Sequence, residues 1–381
     1  MSVLASLVRC LVACFACLVI FCSVPVYVVL LVSWMVISIP LPETWFHIME
    51  DGLWGWYQSV VVFFFEHCTG VELYIEGNIP KIKENCIVIS NHQCLVDWIV
   101  ADFVAIRQGM VGHMRYVFKN SLKYYPLYGF GFGVHGGVFV RRDGKYNDDN
   151  MKKTLNKLIR RKTNLYFLVY PEGTRFSPAR KDLLEKSQSF ATKAGLQPLS
   201  QVLTPRVKAF ECTLNTLRHH VHAVYDITVI YEGMQKHTKG DKRLVAPTTW
   251  QFITGKCRRV YIRFERFPID DVVNSITSLK SDNPDTSGCM LWLHERFSSK
   301  DKLLKDFYEN DETSSQAMQK KASPLSNGSR CVLPLSQTLP SALSIMILTS
   351  MMLYFPLTRS LMICISTFGT ALCGFYAHVF F

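Results

Sequence analysis

The sequence predicts an α/β domain, with a central mixed sheet flanked by helices, held between N-terminal membrane anchor helices and a C-terminal transmembrane hairpin. Three observations predict it. Short β-branched runs alternate with helical patterns from Gly70 to about Phe267, the rhythm of layered α/β folds. Cys10 to Pro42 carries no charged residue. Two more apolar segments, Leu339–Leu357 and Ser360–Phe381, are joined only by Thr358-Arg359, which reads as a transmembrane hairpin. The division is 1–69 for anchor and interfacial helix, 70–310 for the α/β domain, 311–335 for a polar linker and 336–381 for the hairpin.

Taken in order, the first apolar run would be roughly 50 Å long as one helix, against a hydrocarbon core of about 30 Å. It exceeds a signal-peptide core, so it is expected to be retained. Ser23-Val24-Pro25 sits inside it and can kink it or turn it back. Trp45 to Phe65 is rich in Trp, Tyr and Phe and carries Glu50 and Asp51. It fits an interfacial helix or an amphipathic core helix equally well.

The strands are expected at Val71–Ile75, Ile87–Ser90, Val138–Arg141, Leu165–Tyr170, Ile227–Tyr231 and Val260–Phe264. Between them the clearest helix runs from Asn147 to Lys162. Asn147 or Asp148 can cap it, Met151, Leu155, Leu158 and Ile159 form its core stripe, and Arg160, Arg161 and Lys162 make a solvated, cationic end. Asp270 to Ser287 is polar and loop-like, Leu291 to Tyr308 is an amphipathic helix, and Asn310 to Arg330 is a linker containing the sequon Asn327-Gly328-Ser329.

The thirteen cysteines are an odd number, and Cys10, Cys14, Cys17, Cys22, Cys364 and Cys373 fall inside apolar runs. That is no disulfide framework. Lys and Arg number 42 against 30 Asp and Glu, a formal charge of +12 concentrated in the middle of the chain. A basic domain between apolar ends suits an anionic bilayer or phosphorylated substrates. Nucleic acid would also suit the charge, but the ends argue against it.

The chemistry is expected just past the strand Ile87–Ser90, where open α/β sheets place their ligands. His92 and Asp97 are five residues apart. On one helix they would diverge by roughly 140°, so they meet only if His92 lies on the turn and Asp97 on the first helical turns. A carboxylate on one imidazole nitrogen then makes the other a general base for a bound hydroxyl. The same residues also fit a polar turn capped by Asn91. Three later blocks bear on the choice. These are Lys119 to Gly129 (KNSLKYYPLYG), Gly136-Gly137-Val138-Phe139-Val140-Arg141-Arg142, and Tyr170-Pro171-Glu172-Gly173-Thr174-Arg175. Arginines delivered from strand ends can hold a phosphate bidentately, and glycines let backbone approach it.

Together and in this order the blocks resemble the glycerolipid acyltransferase family. NHQCLVD is similar to its NHxxxxD block, GGVFVRR to its glycine-to-arginine block, EGTR to its third block, and Val202-Leu203-Thr204-Pro205-Arg206 to its proline-centred fourth. The wider text, including HQCLVDWIVAD, YVFKNSLKYYPLYG and WLHERF, resembles the epsilon type within the 1-acylglycerol-3-phosphate acyltransferases. The resemblance implies that 70–310 is an acyltransferase domain and that the protein acylates the sn-2 hydroxyl of lysophosphatidic acid from acyl-CoA, giving phosphatidic acid. It implies that His92 is the base and that Asp97 orients it. Arg142, Glu172, Gly173, Thr174, Arg175 and Lys119 would lie on the phosphate side, and Pro205 on the acyl or CoA side. Arg141 and Arg142 point to opposite faces of a strand, so one of them should face the pocket. Cys94 is given no role. Acyl-CoA is a co-substrate, and no metal or other cofactor is required.

The positive-inside tendency puts the basic domain in the cytosol and leaves the sequon unused. The membrane is expected to be the endoplasmic reticulum, with the mitochondrial outer membrane also open. Another lysophospholipid, such as lysophosphatidylcholine or lysocardiolipin, or a transacylation would fit the same motifs. A non-catalytic lipid-binding protein is the rival from another class. A His/Asp hydrolase is disfavoured because no GxSxG elbow is present.

Overall fold

Eight strands form one sheet in the computed structural model, which describes residues 3–141, 148–232, 245–280, 283–309, 325 and 328–380. They are β1 (Glu72–Glu76), β2 (Cys86–Ser90), β3 (Met114–Lys119), β4 (Val138–Val140), β5 (Tyr166–Val169), β6 (Ala223–Glu232), β7 (Arg259–Pro268) and β8 (Ser329–Arg330). Their order across the sheet is β4-β3-β5-β2-β6-β7-β1-β8. The first five are mutually parallel. β7 runs antiparallel to β6, β1 parallel to β7, and β8 antiparallel to β1, so the sheet is mixed.

The inner parallel strands β2 and β5 are covered on both faces, which explains their near-continuous apolar character. Every residue of β2 and β5 is buried. Cys86, Val88, Tyr166 and Leu168 face one core, together with Ile99, Val100 and Phe103 from the helix Asp97–Arg107. Ile87, Ile89, Phe167 and Val169 face the other, with Leu155, Phe210 and Leu214 from helices Asp148–Arg160 and Val207–Leu217. The helix that follows β2 and the helix Val207–Leu217, which leads from the β5 connection into β6, therefore pack on opposite faces. Adjacent parallel strands that diverge in this way open a crevice at their C-terminal ends.

Among the described residues, two helices are long and apolar enough to cross a membrane by length and composition, Val3–Ile37 and Pro356–Tyr376. The first runs on through Ser23 without folding back. Ser23 N donates to Val19 O at 3.0 Å, Tyr27 N donates to Ser23 O at 3.0 Å, and Pro25 opens the second half. At the C-terminus the joint is Phe355-Pro356, where Phe355 is extended, and not Thr358-Arg359. Proline favours an extended residue before it and starts a helix well.

The helix Glu43–Val62 is anchored by ion pairs. Glu50 and Asp51 are buried. Arg115 at the start of β3 pairs with Asp51, and His113 Nδ1 lies 2.8 Å from Asp51 Oδ2. Glu50 Oε1 lies 2.6 Å from His135 Nδ1, and Arg161 Nη1 donates to Glu50 Oε2 at 3.4 Å. Trp54 stacks on His135 with centroids 4.1 Å apart. Burial pushes Glu50 up to about 7 against the pull of Arg115 and Arg161. Burial also acts to raise Asp51, but Arg115 and His113 outweigh it and hold the carboxyl below its ordinary range. Arg161 is thus no solvated helix end: its side chain is 11% exposed and also donates to the carbonyls of Val134 and His135.

Three further elements depart from the sequence reading. β3 and β8 are strands that it lacks, and Ile269–Ser278, inside the range read as a loop, is a helix. Ile269 and Val272 seat that helix in the core. Its Asp270 and Asp271 suit the positive N-terminal end. The predicted cap Asn147 and the sequon residue Asn327 lie outside the described residues.

Candidate active site

β2 ends at Ser90, and the next residue fastens the turn. Asn91 is buried, its Nδ2 donates to Val229 O at 3.0 Å, and its Oδ1 accepts from Val229 N at 2.8 Å. Gln93 Nε2 donates to the same carbonyl at 2.8 Å. His92 is held between these two anchors. Its amide donates to Glu172 Oε1 at 2.6 Å and its carbonyl accepts from Phe176 N at 2.7 Å.

The helix begins at Asp97, which puts His92 and Asp97 within reach of each other. His92 Nδ1 lies 2.8 Å from Asp97 Oδ2. An ionised carboxylate only accepts, so Nδ1 carries the proton and Nε2 keeps its lone pair. The His92 side chain is 18% exposed and that of Asp97 is 1% exposed. The imidazole also stacks on Tyr170, with centroids 4.4 Å apart and planes 24° from parallel.

Asp97 accepts four further bonds. Gln93 N donates to Oδ2 at 2.5 Å and Cys94 N at 2.9 Å. Tyr231 OH donates to Oδ1 at 2.6 Å and Cys94 Sγ at 3.3 Å. Burial alone would raise Asp97, but the bonds from His92, Tyr231 and Cys94 prevail and hold it below the usual carboxylate range. Burial pushes the Cys94 thiol and the Tyr231 hydroxyl well above their ordinary values, so both stay protonated as donors.

The remaining sequence-selected residues divide into struts and exposed cations. The resemblance puts Glu172 on the phosphate side, yet the residue is 1% exposed. Its Oε1 holds His92 N, and its Oε2 accepts from Leu203 N at 2.9 Å. A buried anion so engaged ties three loops together and is unsuited to binding a phosphate. Gly173 has φ +67°, and a Cβ there would meet Arg206 Cδ at 3.3 Å. Arg206 N donates to Pro171 O at 2.7 Å, which seats buried Pro205 against the turn after β5. Thr174 is half-buried in that turn, and Arg175 is exposed.

Lys119 is exposed at the C-terminal end of β3, and Arg141 at the end of β4. β3 is two strands from β2 and β4 is three, about 10 and 14 Å across the sheet. Arg142 lies outside the described residues. The crevice thus brings His92 into direct contact with Asp97 through its ring and with Glu172 through its amide, with Arg175, Lys119 and Arg141 along the same edge. The sequence reading overlooked Tyr231, Tyr170 and Asn91's grip on β6. Their partners are up to 138 residues away, beyond any local spacing.

Comparison with known proteins bears on this site. A family model described as "Acyltransferase" matches residues 70–232, and one described as "Acyltransferase C-terminus" matches residues 251–329. The chain is 39% identical over 350 residues to 1-acyl-sn-glycerol-3-phosphate acyltransferase epsilon of Mus musculus, covering 92% of this chain and 91% of that protein. It is 27% identical over 259 residues to probable 1-acyl-sn-glycerol-3-phosphate acyltransferase 5 of Arabidopsis thaliana, covering 68% and 63%. It is 26% identical over 270 residues to lysocardiolipin acyltransferase 1 of Mus musculus, covering 70% and 66%.

Proposed function

The chain belongs to the acyltransferase family, and on that premise we propose that it transfers a fatty acyl chain from acyl-CoA to the sn-2 hydroxyl of 1-acyl-sn-glycerol 3-phosphate, giving phosphatidic acid. The similarity to a 1-acyl-sn-glycerol-3-phosphate acyltransferase across 92% of the chain supports the acceptor. The observation that carries the reaction type is the contact of His92 Nδ1 with Asp97 Oδ2 at 2.8 Å. It leaves Nε2 as the free base on a partly exposed ring.

In this reading His92 Nε2 takes the acceptor hydroxyl proton as the oxygen attacks the thioester carbonyl. The carbon–sulfur bond breaks, and CoA leaves as a thiol once the proton is returned to sulfur. Asp97 holds the tautomer and stabilises the imidazolium that forms. Lys119, Arg175 and an arginine from the end of β4, Arg142 by motif, neutralise the acceptor phosphate. Gly173 and Thr174 shape the turn that presents Arg175, and Pro205 shapes the acyl or CoA side. The apolar helices Val3–Ile37 and Pro356–Tyr376 support a bilayer as the source of the lipid. The basic domain then lies on the cytosolic side of the endoplasmic reticulum membrane, where acyl-CoA is available.

The test is turnover by the full chain in nanodiscs with oleoyl-CoA, following CoA release with lysophosphatidic acid, glycerol 3-phosphate, lysophosphatidylcholine and lysocardiolipin. Turnover with lysophosphatidic acid, lost in His92→Ala, is expected. Preference for lysocardiolipin, the acceptor class in the name of a 26%-identical relative, would keep the mechanism and change the substrate. Turnover that survives His92→Ala would overturn the mechanism.

A further inference from the structure

We propose that Tyr231 is a positioning residue of this reaction, setting through Asp97 how readily His92 accepts a proton. The proposal rests on the reading of His92 as the base. Tyr231 lies near the end of β6, two residues beyond Val229, whose backbone holds Asn91 and Gln93. One strand therefore fixes both the loop that carries His92 and the carboxylate beneath it.

The two oxygens of Asp97 are served differently. Oδ2 receives His92 Nδ1, Gln93 N and Cys94 N. Oδ1 receives the Tyr231 hydroxyl at 2.6 Å and the Cys94 thiol at 3.3 Å. A thiol is a weak donor, so Tyr231 supplies most of the stabilisation at Oδ1. The other titratable groups against His92 are Glu172, whose Oε1 accepts from His92 N, and Tyr170, which stacks on the imidazole, and replacing Tyr231 touches neither; Tyr231 itself is buried and packs edge-on against Phe252, with centroids 6.4 Å apart. Removing the hydroxyl leaves charge on Oδ1 without its main donor, in a medium where that donor counts most. The carboxylate then draws the imidazole proton more strongly. The imidazolium persists to higher pH, and the base form becomes scarcer at neutral pH.

Tyr231→Phe keeps the ring and its contact with Phe252. In the full chain with lysophosphatidic acid and oleoyl-CoA, kcat at pH 7 should fall about threefold, the loss of base form that a half-unit rise of the acid limb brings. KM should stay within about twofold, and the acid limb of the pH–rate profile should move up by about half a unit or more. Replacing Tyr231 with 2,3-difluorotyrosine, a stronger donor of nearly the same shape, should move that limb the opposite way. The pH at which diethyl pyrocarbonate half-modifies His92, read by peptide mass, should follow both shifts without any turnover. That readout separates failure of this proposal from failure of His92 as the base. A limb and a reactivity midpoint unmoved by both replacements, or a loss confined to KM or to melting temperature, would overturn it.

Discussion

Asn91 and Val229 are paired in both directions: the amide of Asn91 donates to Val229 O at 3.0 Å and accepts from Val229 N at 2.8 Å. A side chain thereby extends the ladder between β2 and β6 by one rung, just where β2 ends and the chemistry begins. Val229 O keeps Gln93 Nε2 as a second donor, whereas the Val229 amide has its bond from Asn91. Asn91→Ala should therefore strand one buried donor and cost about 1–3 kcal/mol, read as a fall in melting temperature. Because the His92 turn loosens with it, kcat should drop further than the stability loss alone explains.

Glu172 is a strut between the His92 turn and the segment at Leu203. In Glu172→Gln one of its two acceptors becomes a donor facing a backbone N–H, so one bond is lost and replaced by repulsion. Stability should fall by about 1–3 kcal/mol, with kcat reduced and KM for lysophosphatidic acid changed less than about threefold. A KM that rises tenfold at unchanged kcat would make Glu172 part of the acceptor site after all.

The parts of the molecule legible in the sequence are those whose partners are local. The runs CIVIS and YFLV read as buried strands because parallel strands are apolar on both faces. The turn at His92 is legible because helix geometry forbids the contact with Asp97 on a continuous helix. β3 escaped because Arg115 and Lys119 break its apolar run; Arg115 is buried only because Asp51, on a helix more than sixty residues earlier, neutralises it. Arg161 resembled a solvated helix end for the same reason, since Glu50 is remote in sequence. Glu172 could not be sorted into ligand or strut from a motif, because the two roles differ only in which way the carboxylate turns.

Lys119 and Arg175 make the complementary case. Both are exposed at the ends of neighbouring strands, so alanine there should change stability by no more than about 0.5 kcal/mol. If they neutralise the acceptor phosphate, each substitution should raise KM for lysophosphatidic acid by about tenfold. KM for oleoyl-CoA should change much less, and the double substitution should weaken the salt dependence of KM. Equal effects on both substrates would argue against phosphate recognition.

The pair Asp51–Arg115 joins the helix Glu43–Val62 to β3 out of reach of water. Removing one partner leaves the other buried and charged, so Arg115→Met should destabilise by about 3–5 kcal/mol. Restoring apolar balance in Arg115→Met/Asp51→Leu should recover part of that loss, although His113 then loses its carboxylate. Thermal unfolding of both variants in the same detergent measures the difference.

Acid should dismantle the site through Asp97. Its carboxyl is held below the ordinary value of about 3.9 because the bonds from His92, Tyr231 and Cys94 outweigh the upward push of burial. A carboxylate depressed in the folded state contributes stability that is fully present above its unfolded value and is lost as pH falls through the folded one. The wild-type melting temperature should therefore fall on acidification below about pH 4, partly through this group. Asp97→Asn cannot ionise: it should be less stable by about 2 kcal/mol at pH 7, having lost hydrogen bonds to a charge, and should lose less on further acidification. Parallel melting curves for the two proteins from pH 7 to pH 3 would show that the Asp97 carboxylate is not held by the fold in the way its five hydrogen bonds indicate.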